Sequence, residues 1–232
     1  MPGGRTTDGR TKEDAGSLRR RAARITSTAL ITAGLVVLVD VGITLAWGEP
    51  LSALRTALAQ REAGQELERL EADFARADAH FDRARVPKLG ERLERRAESG
   101  DAVGRIRIPA IDVTQVIVEG TDTASLRRGP GHYPETVLPG QRGTVGIAGH
   151  RTTYGAPFRR IDEIERGDEI VVEMPYARFV YRFERSRIVD PSQVGVVRDV
   201  ERDRLVLTAC HPLYSAAERY VVFARQVEVH RP

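Results

Sequence analysis

Hydrophobic and polar positions divide the chain into three textures. The first is a run from Ile25 to Trp47, 23 residues that are apolar apart from Thr, Ser, Gly and Asp40. A bilayer core needs about 20 such residues, so the run predicts a membrane-spanning helix. Arg19, Arg20, Arg21 and Arg24 precede it and Trp47 closes it. Arginines favour the cytoplasmic side, and Trp favours the opposite interface. No A-x-A-like cleavage site follows, so the segment reads as a retained anchor with the rest of the chain outside the cell. Asp40 is the exception, since an acid near the centre of a span costs about 2.5–3.5 kcal/mol. It lies in the outer half, either partly hydrated or facing a partner.

The second texture is helical. Residues 49–86 are rich in Ala, Leu, Glu and Arg, all strong helix formers. Leu67, Leu70, Phe74, Ala77 and Phe81 recur at alternating steps of three and four, which places them on one helix face. Pro87 is expected to break the helix, with a short second helix over Leu89–Glu98. The stripe leaves three readings: a short coiled coil, packing on the following domain, or a plain spacer.

Short alternating or β-branched runs, punctuated by Gly, Pro and Asp, form the third texture. They predict strands near Gly104–Ile108, Thr114–Glu119, Thr144–Ala148, Glu169–Glu173, Arg178–Val189, Arg204–Ala209 and Tyr220–Val229. Helical turns are expected at Ala124–Arg128 and Phe158–Ile164. Many short strands with few helices indicate a mainly β, closed or nearly closed barrel. The expected organisation is a disordered basic tail (1–24), a transmembrane anchor (25–47), a helical stalk (48–100) and a β domain (101–232).

Charge bears on partners. The net charge is +3 and the isoelectric point about 9.3, but the excess is local. Residues 1–24 carry seven Lys/Arg against three Asp/Glu, whereas residues 101–232 carry nineteen against eighteen. A nucleic-acid binder would place its basic face on the folded domain, so that class is disfavoured.

The chain has one cysteine, so no internal disulfide forms and the thiol is free. Cys210 ends the apolar run Leu205-Val206-Leu207-Thr208-Ala209, and His211-Pro212 follows. His150 ends a second run, Val145-Gly146-Ile147-Ala148-Gly149. Arg219 lies nine residues beyond Cys210. A strand end that opens into a loop holds a side chain firmly yet leaves it reachable. A thiolate nucleophile, an imidazole to assist it and protonate a leaving amine, and a guanidinium to meet an oxyanion are enough for acyl transfer. His211 adjoins Cys210 but points the other way on an extended chain, which makes it a loop residue at the cleft mouth. His132, in the turn-rich Gly129–Pro134, is the alternative base. His80 and His230 are expected to be solvated. No residues have metal-ligand spacing, and no phosphate-binding or dinucleotide fingerprint is present, so no metal or cofactor is expected.

These strings resemble the sortase family of Gram-positive cell-surface transpeptidases over about residues 103–230. Leu207-Thr208-Ala209-Cys210 resembles the T-x-T-C element, Gly149-His150-Arg151 the histidine, and Glu218-Arg219-Tyr220 the arginine. Gly129-Pro130-Gly131-His132-Tyr133-Pro134, His150–Phe158 and Cys210-His211-Pro212 look most like class E, the housekeeping type of high-GC actinobacteria. The resemblance implies a closed eight-stranded barrel, one strand more than the pattern yields. It implies His150, Cys210 and Arg219 as catalytic residues, with Tyr133, Thr152, Thr153, Tyr154, Thr208, Ala209 and His211 as substrate-site candidates. It implies cleavage of the Thr–Gly bond in LAxTG- or LPxTG-type signals of surface proteins, and transfer to an amine on lipid II or peptidoglycan. Ala209 stands where Thr is common, and Thr144 where Asn is frequent. Rival readings are a pilin-polymerising sortase with a lysine acceptor, a hydrolytic cysteine protease, and a non-catalytic tethered domain.

Overall fold

A computed structural model describes residues 9–47, 50–77 and 81–232. The chain divides after Gly48 into two units, Met1–Gly48 and Glu49–Pro232, and each is taken by itself. The first is one helix, α1 (Gly9–Trp47). Among the described residues, one stretch is long and apolar enough to cross a membrane: Arg24–Gly42, with mean hydropathy 1.9. The helix starts at Gly9, inside the segment that composition assigns to disordered tail. From Thr11 to Arg24 only Gly16 interrupts a run without helix breakers, so the turn propagates backwards once the apolar segment has nucleated it. The start of the expected tail, residues 1–8, lies outside the described residues.

The second unit is a closed barrel in the order β1-β2-β3-β4-β7-β8-β6-β5. Its strands are β1 (Ala102–Ile108), β2 (Val113–Glu119), β3 (Gly131–His132), β4 (Thr144–Ala148), β5 (Glu169–Met174), β6 (Ala177–Val189), β7 (Arg204–His211) and β8 (Glu218–His230). Seven lie where the alternation puts them. The eighth, β3, is two residues long. It pairs in parallel with β2 and antiparallel with β4, which closes the barrel wall. Two residues in a Gly/Pro-rich turn carry no period, so no pattern could mark them. Ile106, Ile108, Ile117, Ile147, Phe158, Ile170, Phe179, Tyr181, Leu205 and Leu207 are almost fully buried in the interior core.

Two α-helices precede the first barrel strand in this unit. Helix α2 (Pro50–Ala77) lays Leu67, Leu70 and Phe74 of its stripe on the wall, whereas Ala77 at its end and Phe81 beyond it are exposed. Ala63 and Leu67 are fully buried against Ala102 and Val116, and Phe74 joins the main core. Of the three readings of that stripe, the structure takes packing on the domain. The Gln60 side chain fixes the register: its Oε1 accepts from Val116 N at 2.7 Å, and its Nε2 donates to Val116 O and Arg128 O. Pro87 sits in the first turn of helix α3 (Val86–Glu94) rather than breaking a helix, because a first-turn residue has no N–H bond to lose. His80 lies outside the described residues, and His230 is exposed at the end of β8 beside Glu228.

Candidate active site

Alternation along β7 sorts its side chains. Leu205, Leu207 and Ala209 face the interior core. Val206, Thr208 and Cys210 therefore face outward, and Val206 joins an outer cluster with Val189, Val197, Val221, Phe223 and the ring of Tyr133. Cys210 is half-buried at the end of this row. On the neighbouring strand its Cα partner is Arg219, and cross-strand partners share a face. The Nη1 of Arg219 donates to Ala216 O and Glu218 O, both at 3.0 Å. The guanidinium is thus held by its own loop, on the strand face that Cys210 shares.

His150 arrives from the other neighbour of β7. β4 and β7 run in parallel, their last paired residues are Ala148 and Thr208, and Gly149 N donates to Thr208 O at 2.9 Å. His150 and Cys210 each stand two residues past that last pair, on adjacent strand ends. A Cβ on Gly149 would collide with the ring of Phe158, which explains glycine before the histidine. Phe158 N bonds His150 O and closes the loop between them.

That loop is strained. Tyr154, Gly155 and Ala156 have φ of 52°, 72° and 44°, and left-handed non-glycine residues cost about 1–3 kcal/mol each. Helix α2 helps hold it: Tyr154 N donates to Ser52 Oγ at 3.3 Å, and Thr56 is buried where its hydroxyl bonds Arg127 O. Arg127 belongs to the short helix α4 (Thr123–Arg128), capped by Asp122. Hydrogen bonds from Ser125 and Ser99 hold that carboxyl well below the usual carboxylate range. The Arg127 guanidinium lies 5.6 Å over the Tyr154 ring, and the Tyr154 ring lies 5.0 Å from the His150 ring. Burial pushes the His150 imidazole below its ordinary pKa, and the Arg127 charge pushes it the same way. The imidazole is therefore neutral over a wider range of pH than a free histidine.

Tyr133 completes the outer face. Its hydroxyl meets Thr208 Oγ1 at 2.8 Å. Burial raises its pKa, the Thr208 bond and the Arg219 charge oppose the rise, and Cys210 adds to it. Tyr133, Thr208, Cys210 and Arg219 thus form one electrostatic neighbourhood. Thr152 and Thr153 lie half-buried on the His150 loop. Two substrate-site candidates fall elsewhere. Ala209 is 3% exposed and belongs to the interior core. His211 takes the same inward side of β7, where its Nδ1 accepts from Arg151 Nη1 at 3.1 Å and its ring lies against Tyr220.

The alternative base is otherwise engaged. His132 is 2% exposed, with Nδ1 at 2.9 Å from Glu119 and Nε2 against Thr136 and Val137 O. It pins the β3 turn from inside. Arg151, Asp162 and Arg127 escaped the sequence reading, because nothing local links charges that meet only after folding. Among the described residues no cluster of His, Cys, Asp or Glu could hold a metal ion.

Comparison with known proteins agrees with this fold. The sortase domain family matches residues 106–227. Sortase D of Bacillus subtilis strain 168 is 35% identical over 134 residues, 56% of this chain and 66% of that protein. Sortase SrtE1 of Streptomyces coelicolor is 31% identical over 223 residues, 89% of this chain and 58% of that protein. The chain thus spans under two thirds of the length of both. Sortase SrtE2 of the same Streptomyces is 29% identical, covering 97% of this chain and 90% of that one. Among solved structures, a Clostridium perfringens sortase D5 transpeptidase superposes with a TM-score of 0.60 at 25% identity, over 73% of this chain and 99% of that one. Streptomyces coelicolor sortase E1, with a tripeptide in its active site, gives 0.54 at 33% identity over 57% and 91%.

Proposed function

Because the chain belongs to the sortase family, we propose that it is a membrane-anchored cysteine transpeptidase acting on C-terminal sorting signals. Cys210 Sγ, as thiolate, attacks the Thr carbonyl of the Thr–Gly bond. Arg219 faces the developing oxyanion with a charge that never titrates away. His150, protonated by the Cys210 thiol as the thiolate forms, gives that proton to the leaving glycine amine as the thioester forms. An acceptor amine then attacks the thioester, loses its proton to His150, and releases Cys210. The register that sets His150 and Cys210 two residues past the Ala148–Thr208 pair, with Arg219 opposite Cys210, carries this reading.

The substrate side is read from residues. The strings around His132, His150 and Cys210 favour an LAxTG-type signal, with Tyr133, Thr152, Thr153, Tyr154 and Thr208 lining the groove. The acceptor is a cell-wall precursor amine such as that of lipid II. Arg19, Arg20 and Arg21, in α1 ahead of its apolar stretch, favour a cytoplasmic N-terminus with the barrel outside.

The full chain in detergent, mixed with LAxTG or LPxTG peptide with and without oligoglycine, tests the proposal by mass spectrometry. A ligated product that disappears in Cys210→Ala supports it, with LAxTG the better substrate. Peptide hydrolysis unaffected by added amine would mean a protease instead.

A further inference from the structure

The β4–β7 ladder stops at Gly149–Thr208, one residue before His150 and two before Cys210. Past that point the chain from β4 turns into its loop, and β7 keeps only β8 as partner. Backbone bonds therefore do not set the separation between residues 150 and 210. The side-chain bond that crosses this gap joins the next residue on each side: Arg151 Nη1 donates to His211 Nδ1 at 3.1 Å.

Arg151 is built into place. It is 2% exposed, although arginine is rarely buried unless paired. Its Nη2 lies 2.6 Å from Asp162 Oδ1, in the 3-10 turn Ile161–Glu163. Nε and Nη2 also donate to Arg159 O at 3.3 and 3.2 Å. The guanidinium sits 5.9 Å over the ring of Tyr220, and the His211 ring is 5.9 Å from that same ring. Tyr220 is the Cα partner of Ala209, so this cluster occupies the inward side of β7 and β8 while Cys210 and Arg219 hold the outward side. One planar five-donor fork thus ties the His150 loop to the strand that carries the thiol, from behind. A lysine could not fill the same set of acceptors. Arginine only donates, so His211 Nδ1 is the acceptor, and the bond fits the neutral Nε2–H tautomer.

We propose that Arg151 and His211 are positioning residues, a strap that fixes the separation of His150 and Cys210 without touching substrate. The proposal rests on His150 and Cys210 being base and nucleophile.

The test uses the full chain in detergent and two readouts. One is kcat and KM for ligation of an LAxTG peptide. The other is the pH profile of iodoacetamide alkylation, which reads the thiolate of the single cysteine and needs no peptide. Arg151→Met and His211→Phe each remove the bond. The expected result is a kcat lower by about tenfold to a hundredfold, the scale of a small misplacement of reacting groups. KM is expected to change less, and the alkylation profile to be displaced. His211→Asn keeps an acceptor near the Nδ1 position and is expected to retain several-fold more activity than His211→Phe. Should Arg151→Met fail to fold, the His211 pair decides. Folded variants with an unaltered alkylation profile, or His211→Asn as poor as His211→Phe, would overturn the strap. If the unsubstituted protein ligates no peptide, the proposed function fails, and the alkylation profiles still decide the strap.

Discussion

At the scale of single residues, the site depends on environment as much as on identity. His150 is depressed by burial and by Arg127, so its NMR titration midpoint should fall below the free imidazole value of about 6.5. Arg127→Ala should raise it, and an unmoved midpoint would remove Arg127 from the account. The depression also links to stability. A histidine with a lowered folded pKa binds fewer protons folded than unfolded, so stability rises with pH between the lowered value and about 6.5. Below that window the penalty is constant, and above it the penalty vanishes. His150→Gln should flatten that stretch of a stability–pH curve. Arg219→Lys should lose most turnover, because an ammonium cannot keep the two loop carbonyls and also offer a planar fork of donors to the oxyanion. Cys210, His150 and Arg219 were legible because each stands at a strand end beside a turn. Arg151 was not. Its partners lie at 159, 162 and 211, and no local pattern distinguishes a buried arginine from a solvated one.

Elements explain how a strained loop is held still. Helix α2 was legible as a helix by composition and as amphipathic by its stripe, yet the stripe alone could not name its partner. Packing decided that question through Ala63, Leu67 and the three bonds of Gln60. Truncating a fully buried leucine typically costs about 2–5 kcal/mol, so Leu67→Ala should lower the urea midpoint clearly. Gln60→Ala removes three hydrogen bonds worth about 1 kcal/mol each. Both effects should be visible in equilibrium unfolding of the full chain, and near-zero changes would mean that α2 is a detached stalk. Strand β3 marks the opposite limit. Its two residues follow from the wall around them, with His132 and Glu119 locking the turn, and no periodicity of its own announces it.

For the whole molecule, the proposed function gives anchoring to the apolar helix near the N-terminus and chemistry to the closed barrel with its packed helix α2. Full-length protein should sediment with membranes and resist alkaline carbonate, whereas removal of residues 1–48 should release it. Release of the full chain by carbonate would contradict the anchor. A fragment reduced to residues 101–232 would lack Gln60, Leu67 and the Ser52 contact to the His150 loop, so catalysis is best measured on the complete chain. The central claim is that Cys210 forms a thioester which an amine resolves. Intact-mass spectrometry of the full chain with an LAxTG peptide tests it most directly. The account predicts an acyl adduct on Cys210 that oligoglycine discharges as ligated peptide, and no adduct in Cys210→Ala. An adduct-free protein, or cleavage that persists in Cys210→Ala, would contradict it.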